Sequence, residues 1–170
     1  MPLPDTQAPA LSVSLISGDR WTLSERTPET FSVIVFYRGK HCPLCRNYLV
    51  SVQDHIEAFA ELGAEIVAVS MDSQERASAA AGEWGLDRLA LGYGLDEATA
   101  RAWGLYLSEA RPGSDEPARF SEPGLMVVRA DGRILFSATQ SAPFTRPPMA
   151  ELAGGLRFVL DNAYPARGTL

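Results

Sequence analysis

Phe31–Arg46, FSVIVFYRGKHCPLCR, is the stretch of this 170-residue chain that directs the prediction of its fold. Its first half, Phe31 to Tyr37, is a run of β-branched and aromatic residues, which is typical of a strand buried on both faces of a mostly parallel sheet. The residues after Cys42 recur at helical spacing, with apolar side chains from Tyr48 to Ala60. The stretch therefore predicts a core strand that leads directly into a helix beginning near Cys42.

Cys42 and Cys45 are the only cysteines of the chain, and they stand three positions apart at this junction. A lone Cys-x-x-Cys between a strand and a helix is the sequence form of a redox dithiol. At positions i and i+3 of a first helical turn, the two α-carbons fall within the span of roughly 4.4 to 6.8 Å that a disulfide tolerates. We therefore expect the pair to switch between dithiol and disulfide without refolding.

Composition restricts the class of protein further. The length predicts one domain over residues 1–170, and 46% hydrophobic residues suffice for a core without a structural cross-link. The net charge of −6 argues against a nucleic-acid partner. The chain has neither an apolar run long enough to span a membrane nor a recognisable leader, so we expect no membrane association and a cytoplasmic location, where a cysteine pair is more often functional than structural.

The remaining chain predicts helices interspersed among strands, in the order β-β-β-α-β-α-β-α-β-β-α. An opening hairpin is expected around Leu11–Leu15 and Trp21–Leu23, and Asp131-Gly132 predicts a second hairpin. Residues 108–124 are rich in proline, glycine and charge and are expected to form a loop. The other predicted elements are the strands 65–71, 89–91, 125–129 and 134–137, and the helices 72–84 (capped by Asp72 and Glu75), 96–103 and 149–164.

These features resemble the thioredoxin fold. The likeness rests on the strand ending in Phe36-Tyr37, the Cys-x-x-Cys, and Pro123-Gly-Leu-Met-Val-Val128 before the Asp-Gly hairpin. The added N-terminal hairpin, the inserted segment and the Phe-Tyr-Arg-Gly lead-in are similar to the peroxiredoxin-like branch called alkyl hydroperoxide reductase/thiol-specific antioxidant, over residues 8–162. The resemblance implies an α/β, thioredoxin-like fold with a mixed central sheet flanked by helices and an N-terminal β-hairpin extension.

The sequence departs from the patterns of both families. Peroxiredoxins typically carry Pro-x-x-x-Thr-x-x-Cys, and the ungapped match places Arg38 on the proline, Cys42 on the threonine and Cys45 on the peroxide-attacking cysteine. The position of the activating arginine falls at Pro123, which instead resembles the cis-proline of thioredoxins. The buried aspartate of thioredoxins is replaced by Phe36. Arg38, Arg46 and Arg119 are the candidate substitutes for the arginine, although Arg119 is more simply a surface charge.

The motif supports two versions of one chemistry. The helix N-terminus and the neighbouring Lys40, His41 and Arg46 are expected to lower the pKa of one thiol, although each of the three also fits a solvated surface position. In disulfide exchange Cys42 would attack and Cys45 would resolve the mixed disulfide, with Pro123 contacting the substrate. In peroxide reduction Cys45 would attack, form a sulfenic acid and condense with Cys42.

Both versions imply the same partners. The substrate is a small peroxide or a disulfide, and an external thiol reductant such as a thioredoxin-type protein is needed because the chain has no third cysteine. No cofactor is expected, and homodimers are common among the proteins that this chain resembles. A metal site would need His41 and His55 to join both cysteines, and His55 lies near three turns further along the helix.

The sequence leaves two hypotheses open in which the protein is not a catalyst. The cysteines would be inert if they packed simply as small hydrophobic side chains. The protein would instead be a non-enzymatic redox sensor or binding module if the disulfide formed slowly, from thiols of ordinary pKa, and altered the surface of residues 108–124.

Overall fold

Residues 2–170 are described by a computed structural model, and a seven-stranded sheet forms its centre. The strands are β1 Ser12–Leu15, β2 Arg20–Thr22, β3 Phe31–Phe36, β4 Glu65–Val69, β5 Ala90–Tyr93, β6 Leu107–Glu109, β7 Arg119–Ser121, β8 Gly124–Arg129 and β9 Ile134–Thr139. The helices are α1 Pro43–Asp54, α2 Ile56–Ala60, α3 Gln74–Trp84, α4 Glu97–Ala102 and α5 Met149–Asn162.

The central sheet is mixed, as the sequence predicts. Its strand order is β2-β1-β5-β4-β3-β8-β9, with β3 in the interior. Strand β3 pairs in parallel with β4 and antiparallel with β8, so that Phe36 lies opposite both Val69 and Gly124. The opening hairpin β1–β2 and the β8–β9 hairpin are both present and antiparallel. The predicted α/β, thioredoxin-like architecture is confirmed.

Strand β3 is buried on both faces, and its side chains alternate between two hydrophobic clusters. Val33 and Val35 pack on the face that is covered by α1, α2 and α5, while Ile34 and Phe36 pack on the face covered by α4. Both cysteines belong to the first cluster. The thiols therefore lie in the packed layer between the sheet and its helices, at the end of the most buried strand.

Two predicted helices differ from those observed. The helix after the cysteines is interrupted at His55, which separates α1 from α2. Helix α3 is capped by Ser73, whose hydroxyl accepts the Arg76 N–H, so the predicted capping role of Asp72 was wrong. The Asp72 side chain is fully buried and is used elsewhere.

The segment 108–124 is more ordered than the sequence predicts. It contains β7 and most of β6, which form an antiparallel pair with Ser108 opposite Phe120. Each strand has only three residues, too few to give a readable alternation of apolar and polar side chains. Phe120 is buried, and this short hairpin therefore packs onto the molecule and is not a free loop.

The helices of residues 2–170 include none that is long and apolar enough to cross a membrane.

Phe59 and Phe158 offer a matched test of the helix-covered core, because the Phe59 side chain is fully buried whereas Phe158 is 52% exposed. We expect Phe59→Ala to lower the free energy of unfolding by about 3 to 5 kcal/mol, since it leaves a cavity. Phe158→Ala should cost less than about 1 kcal/mol. Urea denaturation of both variants checks this, and equal losses would contradict the assignment of Phe59 to the core.

Candidate active site

The two thiols lie at the start of α1. Cys42 is the N-cap residue of the helix, and its sulfur accepts the backbone N–H of Cys45 at 3.2 Å. Each of the two cysteine side chains also shifts the pKa of the other. Both are free thiols, and their residues are 1% and 0% exposed. The predicted helix-start dithiol is therefore present, in its reduced form and shielded from solvent.

The loop between β3 and α1 is held by the end of the neighbouring strand. Asp72 follows β4, and its carboxylate accepts the Lys40 backbone N–H at 2.7 Å and pairs with Arg76 at 3.1 Å. Gly39 has a φ of +129°, and a Cβ there would lie 2.7 Å from the Asp72 carboxylate. A glycine is required at this position because both the backbone conformation and the close approach exclude a side chain. Asp72 thereby fixes the path of the chain into the cysteine motif.

Arg38 contacts the β6–β7 region with its side chain. The guanidinium lies 3.5 Å from Glu116 and 3.4 Å from Glu122, and its Cζ stands 4.6 Å above the Phe120 ring. Both carboxylates are nearly fully buried. The backbone amide of Arg38, in contrast, acts to lower the pKa of the Cys45 thiol. The residue therefore joins the hairpin to the dithiol.

The other charges near the motif in sequence are directed elsewhere. Lys40 pairs with Glu83 at 2.9 Å, and Arg46 is exposed and makes no ion pair or side-chain hydrogen bond within residues 2–170. His41 packs against Phe120 with ring centroids 4.6 Å apart, and burial, followed by the charge of Arg38, lowers its pKa. A histidine whose pKa is lowered is neutral at neutral pH. The positive charges named as acting on the thiols come instead from Arg146 and, for Cys42, from Arg38.

Arg119 and Pro123 are two further candidates that the sequence named. Arg119 is exposed and pairs with Glu97 at 2.9 Å and Glu109 at 3.6 Å, which confirms its prediction as a surface charge. Every peptide bond described in residues 2–170 is trans, so Pro123 is a trans proline and differs in conformation from the cis-proline of thioredoxins that it resembles in sequence. Pro123 is buried directly before β8, and its carbonyl accepts the Gln140 N–H.

Arg146 contacts the dithiol directly, although no sequence pattern had pointed to it. It lies between β9 and α5, 101 residues after Cys45, and its Nη2 donates to the Cys45 sulfur at 2.9 Å. Its Nε and Nη1 atoms are buried and have no hydrogen-bond partner in the described part of the chain. The sequence around it, Phe-Thr-Arg-Pro-Pro, carries no motif. Its place at the sulfur depends on how α5 docks beside α1.

The electrostatics of the pair favour a single negative charge. The pKa of Cys42 is lowered to about 6, first by the hydrogen bond from the Cys45 side chain and then by the Cys45 N–H, Arg146 and Arg38, against the opposing effect of burial. Burial, followed by the hydrogen bond with Cys42, raises the pKa of Cys45. The two sulfurs thus share one proton near neutral pH, and Arg146 and the helix start stabilise the resulting anion.

The fold resembles solved peroxiredoxin structures. Peroxidoxin BcpB from Mycobacterium tuberculosis is 20% identical, with a TM-score of 0.75 over 94% of this chain and 99% of that one. The reduced 2-Cys peroxiredoxin of Plasmodium vivax is 13% identical, with a TM-score of 0.76 over 95% and 99%. AhpC from Enterococcus faecalis is 17% identical, with a TM-score of 0.76 over 96% and 98%. At these identities the likeness shows a shared fold.

A thioredoxin-like fold with two free thiols at a helix start defines a thiol oxidoreductase. The sequence assigns it more closely: residues 4–137 match the AhpC/TSA family, and the chain belongs to that family. It is therefore a thiol-dependent redox enzyme of the peroxiredoxin type. No curated protein matches the sequence significantly. Arg146 lies beyond the residues that the family matches.

The lowered pKa of Cys42 predicts how the thiols titrate. We expect the ultraviolet absorbance of the thiolate to rise through about pH 6 in the folded protein, and through about pH 8.5 after unfolding in denaturant. Because the folded pKa is the lower one, the anion contributes stability fully above about pH 8.5, and that contribution is lost as the pH falls through about 6. A folded protein that titrated in one transition, at the pH of the unfolded chain, would contradict this electrostatic picture.

Gly39 and Gly18 provide a test of the loop before α1. Both have positive φ, but a Cβ at Gly18 meets nothing within 4 Å, whereas one at Gly39 meets Asp72. Gly18→Ala should lower the free energy of unfolding by about 1 to 2 kcal/mol through its backbone conformation alone. Gly39→Ala should cost about 2 to 4 kcal/mol, because the clash is added. Denaturant unfolding of both variants measures the difference, and similar losses would refute the close packing.

Proposed function

We propose that the protein is a peroxidase in which Cys45 reduces a small hydroperoxide and Cys42 resolves the oxidised sulfur. The observation that carries the proposal is the contact of Arg146 Nη2 with the Cys45 sulfur at 2.9 Å. A guanidinium hydrogen-bonded to a sulfur favours its anion, and the thiolate is the reactive form of cysteine. The resemblance to the family supports the same residue, because Cys45 aligns with the peroxide-attacking cysteine.

At rest the negative charge lies on Cys42, whose pKa is lowered, and the proton lies on Cys45, whose pKa is raised. The first step therefore begins when this shared proton moves from Cys45 to Cys42, which leaves the Cys45 sulfur as the thiolate beside Arg146. The Cys45 thiolate attacks one peroxide oxygen, the O–O bond breaks, and Cys45 becomes a sulfenic acid. The released alkoxide or hydroxide takes a proton from solvent. The sulfur is thereby oxidised, and the peroxide is reduced to an alcohol or to water.

Arg146 is suited to bind the peroxide as well as the thiolate. Its Nε and Nη1 atoms have no partner within residues 2–170, while Nη2 already contacts the nucleophile. Donors that point to where negative charge develops stabilise a transition state most strongly when they are buried. The free donors of Arg146 would therefore hold the oxygen that leaves with the electron pair.

The second step forms the disulfide. The Cys42 thiol, whose sulfur already accepts the Cys45 backbone N–H, loses its proton and attacks the Cys45 sulfur. The sulfenic hydroxyl leaves with that proton as water, and the Cys42–Cys45 disulfide remains. A thioredoxin-type dithiol is the proposed reductant, because the chain has no other cysteine.

Burial of the sulfurs favours a peroxide over a protein disulfide as substrate. In the reduced protein, where Cys42 is only 1% exposed, a small hydroperoxide can reach the sulfurs more readily than a folded protein can. The thioredoxin-type reductant acts later, on the oxidised form. The trans peptide bond at Pro123 also lacks the cis backbone proposed to receive such a substrate. A purely structural or sensing role would leave the thiols with an ordinary pKa, which the lowered pKa of Cys42 argues against.

The remaining parts of the proposal concern the setting of the enzyme. We propose that residues 1–170 act as one domain, located in the cytoplasm, where thioredoxin-type reductants keep thiols reduced. A homodimer is the oligomeric state to expect from the resemblance to peroxiredoxins. Sedimentation analysis of the purified protein would measure it directly.

Serine substitutions of the two cysteines separate their roles. We expect Cys45→Ser to lower peroxide consumption, measured with a thioredoxin-type reductant, to the uncatalysed background, since the nucleophile is lost. Cys42→Ser should still form one sulfenic acid per chain, trapped on Cys45 by dimedone and located by mass spectrometry, because only the resolving thiol is missing.

The reverse pattern would overturn the assignment. If Cys42→Ser abolished the reaction with peroxide while Cys45→Ser retained it, Cys42 would be the attacking residue. If neither variant affected peroxide consumption but Cys42→Ser abolished catalysed reduction of insulin disulfides, the protein would be an exchange enzyme.

A further inference from the structure

The segment that carries Arg146 lacks the restraints that usually fix a catalytic arginine. Residues 140–148 lie outside the strands and helices. Arg146 forms no ion pair with any aspartate or glutamate among residues 2–170, and its described hydrogen bond goes to the Cys45 sulfur. A flexible arginine side chain loses considerable conformational entropy when it is held in one place. Some other contact must therefore keep the guanidinium at the sulfur.

Tyr48 contacts both Arg146 itself and the residues that directly follow it in this segment. It lies on α1 three residues after Cys45, and residues three apart on a helix share a face. Its ring lies under the guanidinium, 4.9 Å from Cζ, at a distance typical of a cation–π contact. Its hydroxyl donates to the Pro147 carbonyl at 2.7 Å and lies 3.5 Å from the Met149 sulfur.

The backbone next to Arg146 shows that this restraint is needed. Thr145 has a φ of +62°, a left-handed conformation that is unfavourable for a β-branched residue. Such a conformation persists only where the surrounding contacts impose it. The hydrogen bond from Tyr48 to Pro147 is one of these contacts, and it acts two residues after the strained position.

The hydroxyl of Tyr48 is suited to a permanent anchor. Burial raises the pKa of Tyr48 to about 12, and the nearby charge of Arg146 only partly opposes this effect. The phenol therefore stays protonated and remains a hydrogen-bond donor over the pH range in which the dithiol titrates. The anchor does not weaken when the thiolate forms.

We infer that Tyr48 is the positioning residue that holds Arg146 against Cys45, through its ring under the guanidinium and its hydroxyl on the Pro147 carbonyl. The inference rests on the proposed function, since it concerns the same nucleophile. Helix α1 then has two roles, because it carries Cys45 and, one turn later, the platform for the residue that activates it. Tyr48 itself does not touch the reacting atoms and acts only through Arg146.

The test is a double-mutant cycle between Tyr48 and Arg146, read out by the rate of sulfenic acid formation with hydrogen peroxide. Tyr48→Phe keeps the ring under the guanidinium but loses the hydrogen bond to the Pro147 carbonyl. We therefore expect a rate about threefold to tenfold lower. Tyr48→Leu loses both contacts and should be slower by roughly tenfold to a hundredfold. In the Arg146→Gln background, either Tyr48 substitution should change the rate by less than about twofold, because the guanidinium through which Tyr48 acts is absent.

A second readout does not require any peroxide chemistry. Arg146 lowers the pKa of Cys42, so Tyr48→Leu and Arg146→Gln should each raise the pH at which iodoacetamide alkylation accelerates. The matched control is Tyr106→Phe, at a tyrosine that is 55% exposed, which should behave as the wild type. Denaturant unfolding of each variant confirms that it is folded, and Tyr48→Phe keeps the test available if Tyr48→Leu does not fold.

The outcomes separate this inference from the proposed function. Equal rate losses from the Tyr48 substitutions with and without Arg146, or an unchanged alkylation profile in Tyr48→Leu, would overturn the positioning role. If the wild type did not reduce peroxide but Tyr48→Leu still raised the alkylation pH through Arg146, the peroxidase proposal would fail and the positioning role would stand.

Discussion

A sulfur anion held almost entirely out of water is the constraint on which the site depends. Burial opposes ionisation of both thiols, and an uncompensated buried charge would be strongly destabilising. The compensation comes from short-range partners: the N–H groups at the start of α1, the backbone amide of Arg38 and the guanidinium of Arg146. Their combined effect lowers the pKa of Cys42, while the negative charge of the first thiolate opposes a second. As a result, the two sulfurs share a single negative charge.

Each of these partners is delivered by a different part of the fold. Strand β3, buried on both faces, ends directly before the cysteine motif, and Asp72, which follows β4, fixes the loop that leads into α1. The β6–β7 hairpin receives the side chain of Arg38 between two buried carboxylates. The segment before α5 brings Arg146 to the sulfur. The site is thus assembled where four segments distant in sequence meet.

The arrangement also explains how this member of the family brings a positive charge to Cys45 although it lacks the family's usual residues. Arg38 and Cys42 replace the proline and threonine of the peroxiredoxin motif, and Pro123 occupies the position expected for the arginine. In the structure a positive charge nevertheless reaches Cys45, from a residue outside the part of the chain that matches the family. What the chemistry requires is a guanidinium beside a buried thiolate. The element that supplies it can differ, provided that it packs against the same helix.

The sequence by itself determined the local parts of this protein: the doubly buried strand, the helix beginning at Cys42, the two hairpins and the paired cysteines. These follow from side-chain periodicity, turn residues and spacing, which act over a few neighbouring positions. Only the tertiary structure decided that Arg146 rather than Lys40, His41 or Arg46 faces the sulfur, that Asp72 holds the loop before α1 rather than capping α3, and that segment 108–124 is a packed hairpin. Such contacts join residues up to 101 positions apart, and they depend on how helices and strands dock against one another, which no local pattern encodes.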